Sequence, residues 1–359
     1  MHVCRDDARA SAPRSDLMTT PATPDPRRAP GMADVARLAG VSAQTVSRTL
    51  SGNPSVQPET RAKVLAAVDQ LGYRRNNAAR ALSSGRSRAI GVVSLRTGFY
   101  SRTAVTVGIE TTASEAGYIV NSVTTPSLDA GEIELAMSRL ADQGVEGIVL
   151  ALPLIATSRA IDELTRAVPT ITIDGSRTAS TQVVAVDQRE VGRIATRHLL
   201  DLGHETVWHV AGPQQWLDAS SRTQGWREAL ADAGREAPPE ILGDWSPASG
   251  HRSGQILARI PEVTAVFVAS DEMAFGLARA FAELGRRIPD DVSIIGVDDI
   301  PLAEFCSPAL TTVAQPFGDV GRIAVEHLLH AIAHPGAVPP AESITPQLVV
   351  RRSTAAPRH

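Results

Sequence analysis

From Ala89 onward the chain alternates continuous apolar runs with amphipathic stretches, and this pattern constrains the fold more than any other feature. AIGVVSL (89–95), YIVNSVT (118–124), GIVLALP (147–153) and PTITID (169–174) read as strands, with helices predicted at 104–116, 131–143 and 158–167. After a break near Asp187 the alternation resumes. Helices at 190–202, 217–233 and 272–284 are interleaved with TVWHVAG (206–212), TAVFVAS (264–270) and DVSIIGVDD (291–299). The chain then returns through LTTVAQPF (310–317), a helix at 318–333 and a closing strand region, SITPQLVVRRS (343–353). Continuously apolar strands separated by helices form parallel sheets covered on both faces. The predicted fold class is therefore α/β, with two doubly wound parallel sheets in a bilobed body.

In such sheets ligands bind beyond the carboxyl ends of the strands, so two lobes share one cleft there. Polar residues just after strands become site candidates. Asp174, Asp271 and Asp298 qualify, and each could instead cap the next helix. Capping is the assignment for Asp271, before EMAFGLARAF, and contact with ligand hydroxyls is the assignment for Asp174 and Asp298. In GDWSPASG (243–250), Trp245 precedes a Ser-Pro turn and stands outside any periodic core element. A loop indole beside carboxylates offers an apolar platform to the C–H face of a sugar; the alternative is a tryptophan plugging a domain edge. Trp208 and Trp226 read as core, and His198 as a helix-face residue.

Ahead of this body, residues 32–52 (MADVARLAGVSAQTVSRTLSG) read as two short helices broken at Gly40. Glycine there takes the left-handed conformation that ends a helix, and Ser42 caps the next one. With Val46 and Leu50 inward, Ala43, Gln44, Ser47 and Arg48 share the outer face. That face is small, polar and basic, as a helix entering the major groove requires. A third helix is predicted at 58–71, with Pro58 at its first position and Val64, Leu65, Val68 and Leu71 at helical spacing. An ordinary helical hairpin would use the first two helices equally well; the third and the charge distribution favour a nucleic-acid reader.

The formal net charge of −4 hides an asymmetry. Residues 32–88 carry 9 Lys+Arg against 3 Asp+Glu, whereas residues 89–359 carry 21 against 32. A basic head on an acidic body points to one polyanion-binding module. Residues 1–30 have no apolar h-region and read as a disordered arm or as translation upstream of the true start. No apolar run reaches about 18 residues, so no membrane span is expected. Cys4 and Cys306 are too few for a disulfide framework or a metal site, which fits a cytoplasmic protein. No Walker loop, GxSxG elbow or metal-spaced histidine pair occurs; neither enzyme activity nor a cofactor is expected.

DVARLAGVSAQTVSRTLSG, the Gly72-Tyr73 ending, NNAARALSSGRS (76–87) and IGVV (90–93) together resemble the lactose-repressor (LacI/GalR) family of bacterial transcription factors. The resemblance runs from about Met32 to Ser353. It implies a helix-turn-helix domain at 31–73, a hinge at 74–88 and a periplasmic-binding-protein-like effector and dimerisation body at 89–353, followed by a tail at 354–359. Lobe 1 would take about 89–187 and 315–344, and lobe 2 about 188–314 and 345–353. Asn76, Ala79 and Leu82 match the family's hinge helix, which enters the minor groove and wedges a leucine between base pairs. A linker in which Leu82 packs on the body is the alternative. Arg222, in SSRTQGW, matches the effector-binding arginine, and Gln315 and Phe317 match cleft positions; an Arg222–Asp298 pair across the cleft would serve a polyol. Phe99, Ala151 and Ser270 depart from the family's namesake, the last two standing where it has asparagines, so a sugar or galactoside is implied without its identity.

The expected function is a sequence-specific repressor, dimeric because the sequence ends without leucine heptads, released from operator DNA by a sugar inducer. Corepressor-dependent binding is the open alternative within the family. A periplasmic sugar-binding protein would share the body, but neither the head nor the lack of a signal peptide fits it.

Overall fold

The computed structural model describes residues 30–74, 85–153, 158–174, 182–336 and 342–358. These fall into two compact units, a helical head and a larger α/β body. The expected hinge contacts Asn76, Ala79 and Leu82 lie outside the described residues, as does the N-terminal arm before Pro30.

The head contains α1 (Met32–Ala39), α2 (Ala43–Leu50) and α3 (Pro58–Leu71). Gly40 ends α1 at φ 66°, and the Thr45 amide donates to Ser42 Oγ at 3.1 Å, so the turn forms by the termination and capping chemistry expected of its sequence. Val35, Ala36, Val46, Val64 and Ala67 make the core, with Ala39, Leu50, Val68 and Leu71 packed at its edge. Leu65 does not join them and is 45% exposed. A residue advances about 100° around a helix, so an inner face built on 64, 67, 68 and 71 turns 65 outward.

The body builds two six-stranded sheets among the described residues. The first uses β1 (Ala89–Leu95), β2 (Ile119–Thr125), β3 (Gly147–Ala151), β4 (Thr170–Ile173), β5 (Gln182–Val186) and β11 (Glu342–Ile344), in the order β11-β5-β4-β3-β1-β2. All its pairings are parallel. Helices α4 (Tyr100–Glu115), α5 (Ala130–Asp142), α6 (Arg159–Ala167) and α12 (Phe317–Ala333) cover it. The second uses β6 (Trp208–Ala211), β7 (Ile241–Leu242), β8 (Ala265–Val268), β9 (Ser293–Asp298), β10 (Thr311–Ala314) and β12 (Gln347–Val349), in the order β12-β10-β9-β8-β6-β7. Around it lie α7 (Gln188–Asp201), α8 (Leu217–Asp232), α9 (Pro247–Leu257), α10 (Asp271–Glu283) and the short α11 (Leu302–Phe305).

The second sheet is not wholly parallel, which corrects the sequence reading: β12 runs antiparallel to β10. The chain leaves β11 at the carboxyl edge of one sheet and reaches β12 through Thr345 and Pro346 alone. It therefore enters the other sheet at that sheet's carboxyl edge and must run backwards. The other two crossings, at Asp187 and at Gln315-Pro316, are equally short. Three short links hold the carboxyl ends of both sheets face to face. One apolar cluster runs from Ile90, Ile109 and Val149 of the first sheet's layer to Val191, Phe267 and Ile295 of the second.

Helix α9 and strands β5 and β7 were not anticipated. Pro247 begins α9, and Ser246 caps it by accepting from the Ser249 amide, so the supposed Ser-Pro turn is a helix start. Glycines set how closely the covering helices pack. A Cβ at Gly192 would lie 2.1 Å from the Arg222 carbonyl oxygen, and one at Gly250 1.9 Å from that of Met273. Among the described residues no helix is long and apolar enough to cross a membrane.

Candidate ligand cleft and nucleic-acid interface

The facing strand ends line a narrow, partly open cleft, with about 500 Å³ of space between its walls when the adjoining solvent is included. Asp174 follows β4, Asp298 ends β9, Gln315 and Phe317 lie at the β10–α12 crossing, and Phe99 immediately precedes α4. Arg222 projects from α8, Trp245 stands two residues before α9, and Ser270 caps α10. All eight residues singled out from sequence as effector contacts line this one cavity. Three of them, Asp174 (φ 56°), Trp245 (φ 70°) and Asp298 (φ 113°), are non-glycine residues with positive φ. Such backbone costs on the order of 1–3 kcal/mol per residue and persists where the surroundings impose it.

Those surroundings are identifiable. The indole of Trp245 lies against Gly212, where a Cβ would sit 2.3 Å from ring atom Cη2. Asp271 fastens the turn after Asp298: its carboxylate accepts from Ile300 N at 2.9 Å and from Thr312 Oγ1 at 2.6 Å. Asp271 is therefore not the cap expected from sequence. Ser270 caps α10, accepting from the Met273 amide at 3.3 Å, and Asp271 is fully buried behind the cleft.

The expected direct pair between Arg222 and Asp298 is replaced by a chain of amides. Arg222 Nε donates to Gln188 Oε1 at 2.7 Å, Gln188 Nε2 donates to Gln315 Oε1 at 2.7 Å, and Gln315 Nε2 donates to Asp298 Oδ1. Arg222 Nη1 also donates to the Ala269 carbonyl, which anchors the guanidinium at the end of β8. Burial raises the Asp298 carboxyl to about 7 against the pull of Arg222 and Gln315. Burial likewise raises Asp174 to about 6, opposed mainly by Arg102, whose Nη1 is 3.7 Å from Asp174 Oδ2. Glu272 is raised by burial too, although it accepts from Tyr100 N. The cleft thus presents hydrogen-bond acceptors, guanidinium donors and aromatic faces, the equipment for a polyol. Among the described residues no group of three or more His, Cys, Asp or Glu is placed to hold a metal ion.

In the head, Ala43, Gln44 and Arg48 are exposed and Ser47 is half-buried, while Val46 and Thr49 face the core. Thr49 Oγ1 donates to the Thr45 carbonyl at 2.8 Å, consuming its hydroxyl within the helix. The outer face of α2 is left as a small, polar and cationic strip, suited to base edges and phosphates.

Residues 31–76 match the family described as bacterial regulatory proteins, lacI family, and residues 196–354 match the periplasmic binding protein-like domain. The HTH-type transcriptional regulator CelR of Thermobifida fusca is 33% identical over 344 residues, covering 91% of this chain and 99% of CelR. The chain belongs to the lacI family of bacterial regulatory proteins. The lactose operon repressor of Klebsiella pneumoniae is 31% identical, covering 91% of this chain and 93% of its own. Among solved structures, a lac repressor dimer bound to operator and an anti-inducer matches with a TM-score of 0.83 at 30% identity, covering 92% of this chain and 100% of that one. A CelR–cellobiose complex matches with a TM-score of 0.66 at 31% identity, covering 90% and 99%.

As a lacI-family member the chain is a DNA-binding transcriptional regulator, and its cleft holds residues that sequence reasoning missed. Arg102, Gln188, Trp216, Asp218 and Glu272 all line the cavity. Only Gln188 carried a usable signal, since it directly follows the Asp187 crossing. The others sit within the first turns of helices or just before one, where an isolated charge or indole reads as surface or core. Ala151 is buried in β3. Trp226 is core as expected, its Nε1 donating to the Val207 carbonyl at 2.8 Å.

Proposed function

We propose that this regulator is a homodimeric repressor, released from its operator when a sugar, with galactosides as first candidates, enters the cleft. The observation that carries the reading is the convergence of carboxylates, guanidiniums, glutamine amides and indoles at the facing strand ends, a combination suited to a polyol. Gln44 and Arg48 read base edges, Ser47 contacts phosphate or sugar, and Ala43 offers only apolar contact. One bidentate contact supplies roughly 1–3 kcal/mol of base discrimination. Relatives named for lactose, ribose and cellobiose support a sugar as effector.

Self-association is supported by an apolar groove on the second lobe, lined in part by Phe275, Ala278, Leu302 and Pro308, beside which Phe305 is 78% exposed. A monomer rarely leaves such a surface open. A second copy is the occupant proposed, since the similar lac repressor is a dimer when bound to operator. Two copies place two α2 helices on half-sites about one DNA turn apart. The site of action is then the nucleoid.

A ligand shifts such an equilibrium only through differential affinity for its two states, typically 1–3 kcal/mol in coupled systems. The test is a gel-shift titration with an operator selected from random duplexes. Sugars are expected to release wild-type protein, while Arg222→Ala stays bound throughout. Tighter DNA binding with sugar would instead make it a corepressor-dependent regulator. An unaltered response in Arg222→Ala would remove the cleft from the mechanism.

A further inference from the structure

Helix α4 covers the first sheet, yet its start is completed by the second lobe. Its N-cap position is Phe99, which has no side-chain oxygen to offer, and its first turn holds no acidic residue. The first amides of a helix have no partner within it and carry partial positive charge, so they call for an acceptor from elsewhere. Glu272, in the first turn of α10 beside the second sheet, supplies one: its Oε1 accepts from Tyr100 N at 3.2 Å, across 172 positions of sequence. Burial raises the Glu272 carboxyl, but a carboxyl oxygen accepts in either protonation state, so the contact does not require the charge.

Two neighbours of Tyr100 make the same crossing. Phe99 packs against the apolar cluster of the second lobe that contains Trp245 and Met273, and among the described residues it is the one member drawn from the first lobe. Arg102 sets its guanidinium 5.8 Å from the centre of the Trp216 ring, just ahead of α8, while its Nη1 stays 3.7 Å from Asp174 Oδ2 of its own lobe. A borrowed cap, an apolar anchor and a cation against an indole therefore join the start of one helix to the facing lobe. Phe99, Arg102, Trp216 and Glu272 all line the cleft, so widening it along this wall strips α4 of its acceptor and Phe99 of its apolar cover. The three chain crossings are covalent and bend without breaking, whereas this contact can be undone.

We propose that the first turn of α4 is a latch between the lobes, with Glu272 as its positioning residue, and that the cleft widens when α4 gives up the cap it takes from Glu272. Every partner in the contact is a protein group, so the latch closes without a ligand. The proposal is independent of what the cleft binds and stands or falls apart from the sugar reading.

The test is hydroxyl-radical footprinting of the full-length protein with no sugar added, read by mass spectrometry at Phe99, Trp216 and Trp245. Glu272 hydrogen-bonds neither indole, so both gain exposure only if the lobes part. In Glu272→Ala, oxidation at all three is expected to rise at least three-fold, with fully buried Trp226 unchanged. Glu272→Gln keeps an acceptor and is expected to react as wild type does. Glu283→Ala, which removes a surface carboxylate at the other end of α10, should do the same. If Trp226 is oxidised faster too, Glu272→Ala has lost its fold, and Arg102→Gln, read at Phe99 and Trp245, carries the same comparison. Unchanged oxidation of Trp216 and Trp245 in Glu272→Ala, or of Phe99 and Trp245 in Arg102→Gln where that variant is used, would overturn the latch. A rise in Glu272→Gln equal to that in Glu272→Ala would overturn the capping role on which it rests.

Discussion

Replacing Asp298 by asparagine should make the ligand-free body more stable, by an amount that grows with pH. Burial raises the Asp298 carboxyl from 3.8 to about 7, so the folded protein holds a proton that the unfolded chain has released. A group whose folded pKa is raised contributes stability that is complete below its unfolded pKa and is lost as pH rises through the folded one. At about 1.36 kcal/mol per pH unit, the wild-type chain loses roughly 3 kcal/mol from this group between pH 5 and about pH 7, and no more above that. Asparagine has nothing to titrate, can still accept from Gln315 Nε2 and, being isosteric with aspartate, meets the same positive φ with no added side-chain bulk. His198, His204 and His209, all depressed by burial, pull stability the opposite way over part of this range, but they do so equally in both proteins and cancel in the comparison. The variant's advantage should therefore widen by roughly 3 kcal/mol from pH 5 to pH 8, or about 6–12 °C in Tm for a body of this size. All four tryptophans lie in the body, so their fluorescence follows its melting alone. An advantage that stays flat across this range, or a variant less stable than wild type at pH 8, would refute the reasoning.

Further outcomes follow from other parts of the chain. Arg48→Ala should cost roughly 1–3 kcal/mol on a selected operator and much less on random duplex DNA; equal losses on both would make Arg48 a phosphate contact. Phe305→Glu places a charge on the exposed rim of the apolar groove and should shift the protein from dimer to monomer in analytical ultracentrifugation, where an unchanged dimer would move the interface elsewhere. Gly250→Ala puts a Cβ 1.9 Å from the Met273 carbonyl oxygen, backbone that cannot swing aside, and overpacking of this kind typically costs 1–3 kcal/mol in denaturant melts. Gly131→Ala, which meets nothing within 4 Å, is the matched control and should leave the midpoint unchanged or slightly raised.

The α/β alternation was legible because buried parallel strands are apolar without interruption, a pattern that needs no tertiary context. It failed where elements are short or atypical. Strand β7 spans only Ile241–Leu242, and α9 contains Gly250, Gly254, Ser249 and Ser253, which read as loop. Their small size is what lets α9 press against α10, so the feature that hid the helix is the one that packs it. Leu65 illustrates the reverse error. Apolar character alone put it on the inner face of α3, whereas Ala67, smaller and less conspicuous, holds that position.

The cleft was legible to the extent that it is made of chain ends. Asp174, Asp298, Gln315 and Phe317 follow strands or crossings, and in two sheets joined by three short links these four positions converge on one place, although Asp271, which also follows a strand, is buried behind it. No equivalent rule reaches Arg102 or Asp218, whose approach depends on how α4 and α8 lie over different sheets. Nor does one distinguish Asp271 from Ser270, adjacent residues of which one caps a helix and the other fastens a turn 29 positions away. The expected ion pair failed for a related reason. Complementary charges facing one cleft need not touch, and here Gln188 and Gln315 occupy the gap, each beside or within a crossing between lobes. A ligand hydroxyl that takes Asp298 from Gln315, or Arg222 from Gln188, therefore acts on two of the three connections that hold the lobes together. If recognition changes lobe geometry in this body, these two neutral amides lie on its path, by virtue of their position and not of their charge.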